Sequence, residues 1–198
     1  MPNLFVISGC NGAGKTTASF TILPELLQVR EFVNADEIAR GLSPFQPEKI
    51  SIEAGRIMLR RLQELLSQQV DFAFETTLST RSFVGLIQQA KGLGYTVNII
   101  YYWLDSIELA IERVKTRVAE GGHDIPTDTI IRRYHAGLKN FLNLYKDNVN
   151  YWMLIDNSRT EPELIAEGRY SEGVQIVNEE KWLLINKLVE NDTDGHKR

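Results

Sequence analysis

The 198-residue chain has almost no cysteine, no long apolar run and no excess of positive charge, and each shortage removes a class of protein. Its one cysteine, Cys10, cannot form an internal disulfide, so the fold does not rest on a disulfide framework. No apolar run reaches the ~20 residues that a membrane-spanning helix needs, and the opening Met1-Pro2-Asn3-Leu4-Phe5 lacks the basic start of a secretory leader. These shortages predict a cytoplasmic location and no membrane partner. A formal net charge of −4 argues against general nucleic-acid binding, which takes its affinity from Lys and Arg set against phosphates. What is present is ordinary: 43% hydrophobic and 24% charged residues, the composition of one globular domain spanning 1–198.

Five stretches have strand character: Leu4 to Ile7, Glu31 to Asn34, Val70 to Phe74, Tyr95 to Leu104 and Tyr151 to Ile155. They are continuous β-branched and aromatic runs, which suit strands covered on both faces. Helical periodicity fills most of the gaps, over Lys15 to Gln28, Glu48 to Gln69, Ser82 to Leu93, Ile107 to Ala119 and from Pro126 to about Lys146. The alternation predicts an α/β fold, a three-layer sandwich with a five-stranded, mostly parallel sheet and helices on both faces. Ligands of such sheets bind beyond the carboxyl ends of the strands. After Ser158 the pattern weakens into a C-terminal extension over about 159–190. It reads as a short helix around Pro162 to Glu167, a hairpin arm Gly173 to Val177 and a helix Glu179 to Val189, followed by a frayed tail, 191–198.

Gly9-Cys10-Asn11-Gly12-Ala13-Gly14-Lys15-Thr16-Thr17 follows the first strand and opens the first helix, and it fits the P-loop pattern at every fixed position. Glycines at 9, 12 and 14, with the small Asn11 and Ala13, let backbone N–H groups curl around phosphate oxygens. Lys15 reaches the β- and γ-phosphates, Thr16 supplies a hydroxyl for Mg²⁺, and Thr17 sits in the first turn of the helix. The Asn-Lys-x-Asp element of familiar GTPases is missing, because Asn186-Lys187 runs on into Leu188-Val189, and so is the Leu-Ser-Gly-Gly-Gln signature. Kinases acting on small molecules remain the main class, with ATP and Mg²⁺ as cofactors.

Acids and arginines give that class its candidate chemistry. Asp36 follows the second strand, where a general base could take a proton from an acceptor hydroxyl; an N-cap for the next helix explains it equally well. Glu75 stands at the tip of the third strand, suited to hold Mg²⁺ or the acceptor, and Thr77, Ser79 and Arg81 follow it. Between Arg113 and Lys139 six basic residues face only three acids. Arg113 and Arg117 share a helix face, Gly121-Gly122 follows, and Arg132 and Arg133 stand on the next helix, so a lid over about 113–140 would bring charge onto bound phosphate. Exposed, salt-bridged arginines are the plainer alternative. His123, after the glycine pair, either touches ligand or fixes the hinge.

These residues are similar to the zeta toxin family of P-loop kinases, in GCNGAGKTT, VNADEIARGLSP, EAGR, FAFETTLSTRS, the GGHDIP and IIRRY lid pieces, and LIDNS. The resemblance covers nearly the whole chain up to Ser158. It implies ATP- and Mg²⁺-dependent phosphorylation of a nucleotide sugar, in the toxins UDP-N-acetylglucosamine, and inhibition by a small helical antitoxin. Carried over by position, Asp36 is the base, Lys15 and Thr16 bind phosphate and Mg²⁺, and Glu75 and Thr77 serve the acceptor or metal. Arg117 with Arg132 or Arg133 are the lid arginines, and Asn157 lies at the ATP pocket. Toxin members tend to have Glu-Gly-Thr-Leu-Arg-Thr where this chain has Glu75-Thr76-Thr77-Leu78-Ser79-Thr80, so the resemblance leaves the acceptor open, with Arg81 the nearest replacement for the arginine. A nucleotide-dependent binding switch that regulates a protein partner, without transfer to a metabolite, is the second hypothesis.

Overall fold

The computed structural model describes residues 1–122, 124–170 and 172–194, so His123 lies outside the described residues. Strand β1 (Asn3–Gly9) runs at the centre of the five parallel strands of the sheet, between β3 (Phe72–Thr76) and β4 (Thr96–Trp103), with β2 (Glu31–Val33) outside β3 and β5 (Tyr151–Asp156) outside β4. These five strands are parallel, as their unbroken apolar composition predicts. Helices α1 (Lys15–Thr21), α2 (Ala35–Leu42), α3 (Ser51–Gln68), α4 (Phe83–Gly92), α5 (Ile107–Ala119) and α6 (Thr127–Asn140) lie between strands in the chain. The 2-residue period of β4 divides the core: Val97, Ile99, Tyr101 and Trp103 pack into one cluster with α3 and α4, while Ile100 and Tyr102 join Ala110 and Val114 of α5 in the other.

Two elements depart from the expectation. The sheet has seven strands rather than five, because β6 (Glu163–Arg169) and β7 (Gly173–Ile176) add antiparallel to the β5 edge. The short helix expected around Pro162 to Glu167 is therefore a strand. A proline followed by an acid is a local helix signal, but the open edge of β5 pairs with this backbone, with one bulge, and buries Ile165 and Ala166 in the same core cluster. The last helix, α7 (Glu179–Asp194), also continues five residues beyond Val189 into the segment expected to fray, and residues 195–198 lie outside the described residues. Trp182 of α7 stacks on Trp152 of β5 with ring centroids 6.1 Å apart, and Ile185 is fully buried, which anchors the extension to the core. Among the described residues no helix is long and apolar enough to cross a membrane.

The loop from Thr77 to Thr80, which carries β3 into α4, is clamped against α6 and the turn that follows it. Asn140 Nδ2 donates to the Leu78 carbonyl at 2.8 Å and Tyr145 Oη to the Thr80 carbonyl at 2.7 Å. Gly137 makes the approach feasible, because a Cβ there would stand 2.4 Å from the Thr77 carbonyl oxygen and 3.1 Å from the Tyr101 hydroxyl. Gly137→Ala is expected to cost about 1–3 kcal/mol by overpacking and to lower Tm by about 3–10 °C. Thermal unfolding followed by circular dichroism measures this, and an unchanged Tm would show that the loop yields without strain.

Candidate active site

Parallel register brings three strand ends to one rim. Ile7 of β1 pairs with Glu75 of β3, and Val33 of β2 pairs with Phe74, so Asn34 follows β2 directly beside Glu75. The glycine loop leaves β1 on the same side. Gly14 caps α1 in the left-handed region, at φ 79°, and a Cβ there would lie 2.5 Å from Asn157 Nδ2. Only glycine satisfies both demands. Asn157 Nδ2 in turn donates to the Ala13 carbonyl at 2.8 Å, tying the end of β5 to the loop.

Around Glu75 the polar groups converge. Thr16 Oγ1 donates to Glu75 Oε2 at 2.7 Å, Asn34 Nδ2 donates to the same oxygen at 2.9 Å, and Lys15 Nζ stands 3.5 Å from Oε1 while donating to the Cys10 carbonyl at 2.9 Å. Lys15 is 6% exposed, so its charge is spent on these partners in the free protein. Burial pushes the Cys10 thiol up to about 11, against the lowering effect of nearby Lys15, which keeps it neutral and leaves it a small core side chain. Thr16 and Glu75 form an oxygen-donor pair of the kind that Mg²⁺ accepts beside substrate phosphates. Among the described residues no cluster of three or more His, Cys, Asp or Glu side chains forms an all-protein metal cage.

Asp36 is not the cap of its helix. That role belongs to Asn34, whose Oδ1 accepts from the Asp36 N–H at 2.8 Å and the Glu37 N–H at 3.4 Å. Asp36 stands in the first turn of α2 and lines three adjoining clefts. A cleft of about 800 Å³ holds the loop residues Asn11, Gly12, Gly14, Lys15, Thr16 and Thr17 together with Glu75, Arg113, Arg117 and Asn157. A second, of about 410 Å³, is lined by Glu75, Thr77, Arg56 and Arg133 with apolar Ile52, Met58, Leu59 and Phe83. A third lies between the loop after α2, with its 95% exposed Phe45, and the segment Gly121, Gly122, Asp124 and Pro126, with Arg117 on its wall.

The structure sorts the arginines. Arg133 faces the phosphate loop, where its Nη1 donates to Asn11 Oδ1 at 3.2 Å. Burial lowers its pKa, the Asp36 charge opposes that effect and the Arg132 charge adds to it. Arg132, the neighbour in sequence, lines a separate cleft of about 900 Å³ with Ser79, Arg81, His135 and Lys139. Arg81 and Arg132 thus stand together, apart from Asp36 and Arg133. Arg113 holds backbone, donating to the Asn157 carbonyl at 2.8 Å and the Ser158 carbonyl at 3.0 Å. Two residues of the site escaped the sequence reading. Asn34 was legible as a cap residue two positions before Asp36, whereas Arg56 had no signal beyond its place in EAGR.

The zeta toxin family model matches residues 1–160. An uncharacterized protein of Haemophilus influenzae is 33% identical over 127 residues, which are 64% of this chain and 88% of the relative. A chain of the AvrRxo1-ORF1:AvrRxo1-ORF2 complex with sulphate ions superposes with a TM-score of 0.77 at 18% identity, covering 93% of this chain and 63% of that one. This chain therefore spans less than two thirds of that protein's length. The PezAT toxin–antitoxin system of Streptococcus pneumoniae gives a TM-score of 0.62 at 15% identity, over 96% of this chain and 87% of that one. At such identities the superpositions establish the fold alone. The family match extends over most of the sequence and contains the phosphate loop, Asp36, Glu75, Arg133 and Asn157, and by it the chain belongs to the zeta toxin family.

Proposed function

We propose that the protein is an ATP- and Mg²⁺-dependent kinase that transfers the γ-phosphate to a hydroxyl of a small metabolite, with a nucleotide sugar of the UDP-N-acetylglucosamine type as the leading acceptor. The observation that carries this reading is the position of Asp36, on the boundary between the cleft of the phosphate loop and the cleft of Thr77, Arg56 and Arg133. An acceptor hydroxyl in the smaller cleft would give its proton to the Asp36 carboxylate as its oxygen bonds to the γ-phosphorus. The bond from that phosphorus to the β,γ-bridging oxygen breaks and ADP leaves. Lys15 and Arg133, which share the smaller cleft, would neutralise the charge that spreads over the transferred group, and Arg117 lines the cleft of the phosphate loop from the lid side. Thr16 and Glu75 would hold Mg²⁺, which supplies charge neutralisation between the β- and γ-phosphates. The AvrRxo1-ORF1:-ORF2 complex, similar in fold at a TM-score of 0.75 and 19% identity, is described with ATP, which supports ATP as the donor.

A protein partner is the second reading. It is favoured by the toxin–antitoxin description of the pneumococcal relative, and such a partner would regulate access to these clefts. Transfer of phosphate to a metabolite separates the two: a kinase shows it, and a pure nucleotide-gated switch does not.

Three outcomes are expected. Incubation with ATP, Mg²⁺ and a panel of nucleotide sugars should yield a product heavier by one phosphate in mass spectrometry; no such product across the panel would turn the reading toward the switch. Asp36→Asn should lower turnover by roughly 10²–10⁴-fold while leaving nucleotide affinity unchanged, and a variant with normal turnover would remove Asp36 from the role of base. Arg133→Ala should cost roughly 100-fold or more in kcat, whereas Arg132→Ala should leave kcat largely intact, and steady-state kinetics showing the reverse order would reject the sorting of the two arginines.

A further inference from the structure

The part of the chain beyond residue 160, outside the family match, closes the far edge of the sheet, yet it also reaches the nucleotide cleft. Asn157 to Pro162 link β5 to β6, and Asn157 meets the glycine loop. Arg159, Thr160 and Pro162 line this cleft but not the neighbouring cleft of Thr77, Arg56 and Arg133 that Lys15 also lines, which sets them at the end of the nucleotide cleft not shared with the acceptor. The two ends of this link, Asp156 and Glu163, are partners in the β5–β6 ladder. A single ammonium group bridges them: Lys181 Nζ donates to Asp156 Oδ2 at 2.5 Å and to Glu163 Oε2 at 2.6 Å. Lys181 is itself placed by Asn178, whose Oδ1 accepts from the Lys181 N–H at 3.0 Å while its Nδ2 donates to Glu163 Oε1 at 2.6 Å.

Asp156 is the buried member of the cluster, at 4% exposure, and its other oxygen accepts from the Ser158 N–H at 2.8 Å and from the Ser158 hydroxyl. Burial works against the charged carboxylate, and the hydrogen bonds from Lys181 and Ser158 outweigh it. The stacked Trp182 and the buried Ile185 fix α7 behind it, so the ammonium group approaches from a rigid support. Removing that group would leave Asp156 Oδ2 buried without its cation and loosen the link at its Glu163 end, since Arg113 holds the Asn157 and Ser158 end. The phosphate cradle has its own supports in Lys15 and the glycine backbone, and its tie to the link, from Asn157 Nδ2 to the Ala13 carbonyl, is backed by Arg113 on the Asn157 carbonyl rather than by Lys181.

We propose that Lys181 is a positioning residue for the base and ribose of the bound nucleotide, acting by stapling the stem of the 157–162 link that walls that end of the cleft. The proposal rests on the reading of this cleft as the ATP site. The test is calorimetric titration of the intact protein, in Mg²⁺, with ATP and separately with inorganic tripolyphosphate, which has the phosphates but no base or ribose. Lys181→Met is expected to weaken ATP binding about tenfold and leave tripolyphosphate binding unchanged. Ile185→Val, which loosens the same helix from its buried side, is expected to lower Tm without changing either affinity. Full ATP affinity in Lys181→Met overturns the proposal. So does an equal loss for both ligands, or an Ile185→Val variant that loses ATP affinity to the same degree. If Lys181→Met does not fold, Lys181→Gln carries the same comparison. A wild-type protein that binds tripolyphosphate but not ATP would instead overturn the ATP reading beneath the proposal.

Discussion

The part-buried carboxylate of Glu75 is the point on which the site is built. It takes hydrogen bonds from Thr16 and Asn34 and lies beside Lys15, so it joins the phosphate loop, the end of β2 and the end of β3 in one knot. None of these groups would meet without the parallel register, because sliding β3 by a single residue would turn Glu75 to the opposite face of the sheet. Asn34 extends the knot to Asp36, since the amide that donates to Glu75 belongs to the side chain that caps α2. The direction of the proposed base is thus set by the same contacts that hold the proposed metal ligand.

Much of this was legible in the residues, for physical reasons that differ by element. Continuous runs such as Thr96–Trp103 announce a strand covered on both faces, and the spacing of glycines and Lys15 admits few structures besides a phosphate cradle. Residues 163–167 were misread because a strand at a sheet edge is specified by its neighbour, and that neighbour is not visible in the local sequence. Arg132 and Arg133 show the same limit at the site. Adjacent residues on a helix point about 100° apart, so sequence placed both on the lid, and the packing of α6 through Ile130, Tyr134, Gly137 and Leu138 sets which one turns toward Asn11.

Charge is organised against the overall acidity of the chain. The carboxylates that matter, Glu75 and Asp156, are each neutralised by a lysine from a distant part of the sequence, and these pairs stand on the same rim of the sheet. Buried ion pairs of this type add little net stability, since desolvation offsets most of their attraction, but they fix geometry. Here Lys15 fixes Glu75 beside the glycine loop, and Lys181 fixes Asp156 at the end of β5.

The central place of β1 has a consequence for how the protein comes into being. This strand is made before the other six of its sheet, yet its neighbours β3 and β4 are completed only once residues 76 and 103 have been synthesised. Non-local pairing of this sort makes folding slow, because a long loop must close before any contact rewards it. The phosphate loop, the earliest and plainest motif in the chain, therefore waits for Glu75, and then for Asn157 near the end of β5, before it is held in the form that can cradle a ligand.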